Sequence, residues 1–379
     1  MSEPLRLAIV AGEPSGDQLG GKLMRALKVA TGGGVEFAGV GGETMEAEGL
    51  QSFFPLHEIA VMGVLPVLAR LPSLFRRMWE TADRIVAAKP DGLVIIDSPD
   101  FTHRVAKRVR KSLPGLPVVD YVSPSVWAWR PGRAKKMRAY VDCVLALLPF
   151  EPAAHARLGG PRCVYVGHPL IERLGELRSG GERVPNRLVV LPGSRRSEIR
   201  RLSADFGATV GLIAQTHGPL DVVLPTLPHI ADELRERVAH WPVAPRLVFG
   251  EAEKYLAFGA AQAALAASGT VTLELALAGT PHVGAYKVSK WEAPLRRFIK
   301  VSSILLPNLI LEQRAIPEFL QEDCNPAALA AALRPLMDDT PERAAQLAAL
   351  ARLDETMRLP DGTAPSEAAA RAVLEAVGR

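Results

Sequence analysis

Leu5-Arg6-Leu7-Ala8-Ile9-Val10-Ala11-Gly12-Glu13-Pro14-Ser15-Gly16-Asp17 runs from an apolar stretch through a glycine-bearing loop into a helix-like segment. Loops at such strand-to-helix junctions often hold a phosphate in α/β proteins, because the first N–H groups of a helix lack partners. This loop has neither the G-x-G-x-x-G spacing nor the Gly-Lys-Ser/Thr ending of a P-loop. It carries two carboxylates instead, Glu13 and Asp17. The junction therefore predicts an α/β fold and argues against a diphosphate at this position.

The same alternation continues outward. Apolar runs at 5–10, 35–40, 93–96, 118–122, 144–148 and 163–166 are separated by amphipathic segments that include 20–29, 73–87, 103–111 and 133–141. This pattern predicts a parallel sheet with helices on both faces. After a polar stretch at 177–186 it restarts, with runs at 188–191, 222–224, 247–249, 263–267 and 283–286. We expect two Rossmann-like domains, 1–172 and 173–355, joined near 170–186. A last helical pattern at 366–377, within a closing segment 356–379, is expected to pack back on the first domain.

With 379 residues the chain is long enough for two such cores. The near-immediate strand after Met1 leaves no room for a signal peptide, so export is not expected. Cys143, Cys163 and Cys324 form no C-x-x-C pair and read as small buried residues. No His/Cys/Asp spacing suggests a metal, and no cofactor is expected. Residues 255–273 are uncharged, but their alanines and the Ser268-Gly269-Thr270 turn read as a buried strand and a helix, so no membrane span is predicted.

The net charge is only +4, yet basic residues group at 104–111, 130–138, 195–201 and 287–300. Each run alone reads as a solvated face; together they suit an anionic partner such as phosphate or an acidic lipid surface. Without aromatic-rich or zinc-finger signatures, nucleic acid is the least suitable partner.

Several strand ends carry chemistry. In 93–101 (LVIIDSPDF), Asp97 is placed to act as a general base, while Asp97 or Asp100 can instead cap a helix beginning near Thr102; the reading favours base for Asp97 and cap for Asp100. In 191–196 (LPGSRR), Gly193, Ser194 and Arg195 form either a diphosphate site or a plain turn with solvated arginines. In 267–274 (ASGTVTLE), Ser268, Gly269 and Thr270 open a helix that favours phosphate. Glu274 there is either a ribose acceptor or a first-turn acid. The dense apolar segment 59–75 reads as core on composition, with a lipid-facing patch as the alternative. Trp127 and Trp129 pack a sugar or an interface, and His168 is either cleft-facing or structural.

Taken together, VAGEPSGD (10–17), AVMG (60–63), IDSPDF (96–101), YVSPSVWAWR (121–130), LLPFE (147–151), VGHP (166–169), LPGSR (191–195), ASGTVTLE (267–274) and LPNLI (306–310) closely resemble the lipid-A-disaccharide synthases. That family is made of inverting glycosyltransferases of GT-B architecture, two Rossmann-like domains facing a central cleft. The resemblance implies UDP-2,3-diacylglucosamine as donor and 2,3-diacylglucosamine 1-phosphate as acceptor, giving a β-1,6 disaccharide 1-phosphate and UDP. It implies a cytoplasmic protein held peripherally at the inner membrane, and it is compatible with a homo-oligomer.

By the same resemblance Asp97 deprotonates the acceptor 6-hydroxyl, and Glu13 faces sugar hydroxyls while Asp17 serves the helix start. Arg195 and the 268–270 helix start hold the departing UDP in place of a metal, Glu274 reads the ribose, and Asn308 completes the nucleotide side. Ser15, Val61, Met62, Gly63, Arg76, Arg77 and Trp127 fall on the acceptor and lipid side, which shifts 59–75 toward a lipid role. Pro66 stands where the family usually has glutamate, and Leu311-Glu312-Gln313-Arg314 replaces the usual Gly-Arg-Glu. The competing expectations are a non-catalytic nucleotide- and lipid-binding module and a related enzyme using non-acylated UDP-N-acetylglucosamine.

Overall fold

A computed structural model of the chain describes residues 3–59, 64–288 and 301–379. The chain forms two compact units, one of residues 1–169 with 359–379 and the other of residues 170–358.

In the first unit, β1 (Leu5–Ala11), β2 (Val35–Val40), β3 (Gln51–Ser52), β4 (Gly92–Ile96), β5 (Val118–Tyr121), β6 (Cys143–Ala146) and β7 (Arg162–Tyr165) form a parallel sheet in the order β3-β2-β1-β4-β5-β6-β7. The alternation along each strand explains why both faces are covered. Leu7, Ile9 and Ala11 join one buried cluster with Val94 and Ile96, while Ala8 and Val10 join another with Leu93 and Ile95. Each such Leu, Ile or Val side chain contributes about 1.5–3 kcal/mol over exposure. The helix Pro365–Ala376 completes the first of these clusters with Ala369, Ala370, Ala372 and Val373, against the helix Pro14–Ala30.

The second unit repeats the plan with β8 (Arg187–Leu191), β9 (Asp221–Thr226), β10 (Arg246–Phe249), β11 (Ala263–Ala267), β12 (His282–Tyr286) and β13 (Glu318–Leu320), ordered β10-β9-β8-β11-β12-β13 and again parallel. β11 is buried along its whole length. The polar stretch at 177–186 is part of this unit rather than a free linker. Arg178 donates to the Leu277 carbonyl at 3.0 Å, and Arg183 donates to the carbonyls of Ala261 and Gly279 at 2.5 and 2.6 Å.

In each sheet the strand order reverses once, at β1/β4 and at β8/β11. In open parallel sheets, ligands bind outside the carboxyl ends of the strands at such a switch point.

Candidate functional site

At the first switch point, Ala11 and Ile96 are paired in register, so the loops leaving β1 and β4 start side by side. Gly12 makes their approach possible: a Cβ on it would lie 2.3 Å from the Ser98 Cβ. Asp97 and Ser98 both adopt left-handed backbone, with φ of 53° and 45°. That conformation costs of order 1–3 kcal/mol per non-glycine residue and persists only where surrounding contacts enforce it. Here the Asp97 N–H donates to the Tyr121 carbonyl at 3.1 Å, and Thr102 Oγ1 donates to the Asp97 carbonyl at 2.7 Å. Asp97 Oδ1 accepts the Ser98 N–H at 2.7 Å, while Oδ2 has no hydrogen-bond partner among the described residues. One carboxylate oxygen is thus pinned and the other is left able to take a proton. Glu13 stands at the N-cap of the helix Pro14–Ala30, half-buried and not capping through its side chain, and Ser15 is exposed in the first turn.

Two roles read from the sequence are corrected here. Asp17 does not serve its own helix. It is buried and accepts N–H groups from Gly42, Thr44 and Met45 at 2.7, 3.0 and 3.1 Å, holding the start of the next helix, Glu43–Ala47. Nor does Asp100 cap: the helix begins at Pro99 with Ser98 at the N-cap, so Asp100 falls inside the first turn and points outward to Arg133.

The second switch point is a cavity of about 430 Å³, lined by Gly193, Ser194 and Arg195 from the loop after β8 and by Ser268, Gly269, Thr270 and Glu274 after β11. Gly193 takes a φ of 121° and a Cβ there would strike the Glu198 side chain, so glycine is required. The helix Thr270–Leu277 turns its unpaired first N–H groups toward this space. Ser268 itself is partly committed, donating its N–H to the Ala285 carbonyl and its hydroxyl to the Ile304 carbonyl.

Sequence reading missed two partners at this cavity. Glu198 accepts the N–H groups of Ser194 and Arg195 at 3.1 and 3.3 Å and the Arg195 guanidinium at 3.1 Å, holding the loop and its arginine at the edge of the cavity. Its position three residues after a helix N-cap is a readable capping signal. Lys254 pairs with both oxygens of Glu274 at 3.0 and 3.1 Å, and Tyr255 donates to the same carboxylate at 3.4 Å. No local pattern announces that pair, because Lys254 comes from a different helix, Glu251–Ala260. Glu274 is therefore not a first-turn acid; it lies deeper in its helix and is charge-balanced.

Asn308 does not line the cavity. It is buried, with its amide donating to the Ile316 carbonyl and Ser303 Oγ while its carbonyl accepts the Ile316 N–H, so its hydrogen-bonding capacity is spent on its own loop. Arg77 is also redirected. It pairs with Glu58 and Glu80 at 2.6 and 2.7 Å and lies over the Phe54 ring, which removes it from a lipid-phosphate role. The Trp127 indole donates to Glu151 at 3.0 Å and packs edge-on against Phe150. Arg76 is exposed beside the exposed rings of Phe75 and Trp79. Val61, Met62 and Gly63 lie outside the described residues, as does most of the basic run 287–300. His168 is buried, and burial lowers its pKa to about 4, so the ring is neutral.

The family model for lipid-A-disaccharide synthetase matches residues 7–371. This chain belongs to the lipid-A-disaccharide synthase family. Lipid-A-disaccharide synthases of Nitrobacter winogradskyi and Bradyrhizobium diazoefficiens are 55% and 54% identical to it, over 98% and 97% of this chain and 96% of each relative. Among solved structures, the Methanocaldococcus jannaschii UDP-GlcNAc 2-epimerase in complex with UDP-GlcNAc and UDP superposes with a TM-score of 0.60 at 12% identity, covering 97% of this chain and 98% of that one. Acinetobacter baumannii MurG does so with a TM-score of 0.53 at 14% identity, covering 99% and 98%. The chain is thus a glycosyltransferase of lipid A biosynthesis with the GT-B fold. No helix among the described residues of this family member is long and apolar enough to cross a membrane.

Proposed function

We propose that this chain transfers 2,3-diacylglucosamine from its UDP conjugate to the 6-hydroxyl of 2,3-diacylglucosamine 1-phosphate. The observation that carries the reading is the family match across residues 7–371. The contrast between an acidic switch point in one unit and a glycine- and arginine-bearing one in the other supports the division of labour.

Asp97 takes the 6-hydroxyl proton as that oxygen attacks the anomeric carbon, and Glu13 orients the same hydroxyl. The bond to the diphosphate breaks in the same step, so the anomeric configuration inverts and UDP leaves with the electron pair. Arg195 and the N–H groups opening the helix Thr270–Leu277 stabilise the departing charge. Glu274 accepts the ribose hydroxyls, with Lys254 holding its carboxylate in place.

The acylated substrates place the protein peripherally on the cytoplasmic face of the inner membrane. The exposed Phe75 and Trp79, flanked by Arg104 and Arg108 over their rings, suit an interfacial position.

The deciding assay supplies both acylated substrates and follows UDP and a lipid-linked disaccharide. No new lipid product would sink the reading. Full turnover by Asp97→Asn would remove the base assignment alone. Equal use of a deacylated donor would point to non-acylated UDP-N-acetylglucosamine instead.

A further inference from the structure

Outside both switch-point loops, the first unit holds a cavity of about 650 Å³ between the helix Pro99–Ser112 and the segment that follows β5. Arg104, Lys107, Arg130, Arg133 and Lys136 all line it. Elsewhere clustered arginines are matched by acids: Arg77 by Glu58 and Glu80, Arg173 by Glu176 and Glu251, Arg196 and Arg200 by Glu233. Here the one carboxylate in ion-pair range, among the described residues, is the exposed Asp100, 3.4 Å from Arg133. Lys107 is held below the usual lysine pKa by burial and then by the charges of Arg104, Arg133 and Lys136. Among the described residues the lining is therefore a set of mutually repelling cations that Asp100 alone does not neutralise.

The wall is organised as well as charged. Tyr140, over whose ring the Lys107 ammonium sits, shares a hydrogen bond of 3.1 Å with His103 Nδ1. His103 Nε2 lies 3.1 Å from the buried Asp120 carboxylate, so the ring is held between that carboxylate and the phenol. This inward-held network keeps the Tyr140 ring in place beneath the cations.

Location indicates which anion. Pro99 and Asp100 form part of the rim, directly after the Asp97-Ser98 turn. Arg104 and Lys107 sit on the helix about 7 and 12 Å further along its axis, with helical side chains leaning back toward its start. In the acceptor, the phosphate on C1 and the C6 arm with the reactive hydroxyl are borne by the two carbons that flank the ring oxygen, so the two groups lie a short distance apart on one side of the sugar.

We infer that this cation-lined cavity binds the phosphate of the acceptor, so that the acceptor is held by its charged end while its hydroxyl is offered to Asp97. The inference rests on the transfer reading above, and two readouts keep their failures apart. Binding of 2,3-diacylglucosamine 1-phosphate in detergent micelles, compared with the same sugar lacking phosphate, reads the site. UDP release in the presence of donor reads transfer.

The wild type is expected to prefer the phosphorylated sugar at least about tenfold, as charge-assisted contacts allow. The double variant Lys107→Gln/Lys136→Gln is expected to lose most of that preference. Its acceptor KM rises about tenfold or more, while kcat and donor KM stay within about threefold, on the same principle. Its melting temperature stays level or rises, because repulsion has been removed; Arg130→Gln provides a milder second variant with the same direction. A preference that survives in both variants overturns the inference, whether or not UDP is released. Loss of binding to phosphatidylglycerol vesicles with the preference intact reassigns the cations to lipid headgroups and overturns it too. If the variants lose the preference but the wild type releases no UDP, the phosphate site stands and the transfer reading falls.

Discussion

The two switch points are built on one plan and differ in charge. Each lies between two adjacent parallel strands whose onward connections run to opposite sides of the sheet, and each brings together two loops that are far apart in sequence. In the first unit those loops supply Glu13 and Asp97, with a glycine allowing contact at Ser98. In the second they supply Gly193, Arg195 and a helix start, with a glycine allowing contact at Glu198. Under the proposed division of labour, proton abstraction and diphosphate departure ask opposite things of a site, and a repeated fold lets each be solved in its own unit. Topology sets where ligands approach; loop chemistry sets what happens there.

The largest way to break the contrast is Asp97→Asn. Turnover should fall about 10²–10⁴-fold, the span usual for a general base. UDP affinity measured by calorimetry should be unchanged, and a matching loss of UDP binding would show that the units do not divide the work as described. Gly12→Ala comes next, since its Cβ would push on Ser98. A displacement near 1 Å at reacting groups costs about a hundredfold, so turnover should drop on that order while UDP binding again holds. Conversely, Arg195→Gln should leave the acceptor side intact and weaken UDP binding about 10-fold or more, the loss expected for one charged hydrogen bond. If acceptor KM moved instead, Arg195 would belong to the other side of the reaction.

The smallest effect concerns pH. Burial puts His168, in the first unit, and His282, in the second, at about 4. Between their unfolded value of about 6.5 and that level, the unfolded chain binds more protons than the folded one, so each unit loses stability as pH falls through this window. In the first unit burial also lowers His155, by less than His168, whereas Glu151 acts the other way, because burial raises it to about 7 and the folded state holds its proton longer. Acidification from pH 6.5 to 4.5 should therefore cost the second unit more than the first. Two unfolding transitions tracked by hydrogen exchange would separate the units, and equal shifts would contradict the asymmetry.

Much of this was readable before any coordinates. Short, nearly continuous apolar runs bounded by turn residues mark β1 and β4 as buried parallel strands, and the polar junctions after them mark the loops. β3 and β13 escaped because two or three exposed or half-buried residues make no apolar run. The residue roles that changed share a cause. Asp17, Asn308 and Arg77 carry the right chemistry at suggestive positions, but each is consumed by partners that local patterns do not place beside it: a neighbouring helix start, a loop carbonyl, and a glutamate from another element. Lys254 escaped for the complementary reason, since its importance comes from Glu274, twenty residues away in the chain. Side-chain type gives capacity, whereas the neighbours decide whether any of it is left for a ligand.

The helix Pro365–Ala376 has a consequence for the order of events during synthesis. The first unit's core includes side chains from the last stretch of chain, after the whole of 170–358 has been made. At ordinary translation rates that interval is roughly 10–40 s. For that time the nascent first unit presents an unfilled apolar groove against the helix Pro14–Ala30, while the second unit has every residue it needs. The later-made half is therefore the one able to finish folding first, and the groove is where a ribosome-associated chaperone would have a substrate.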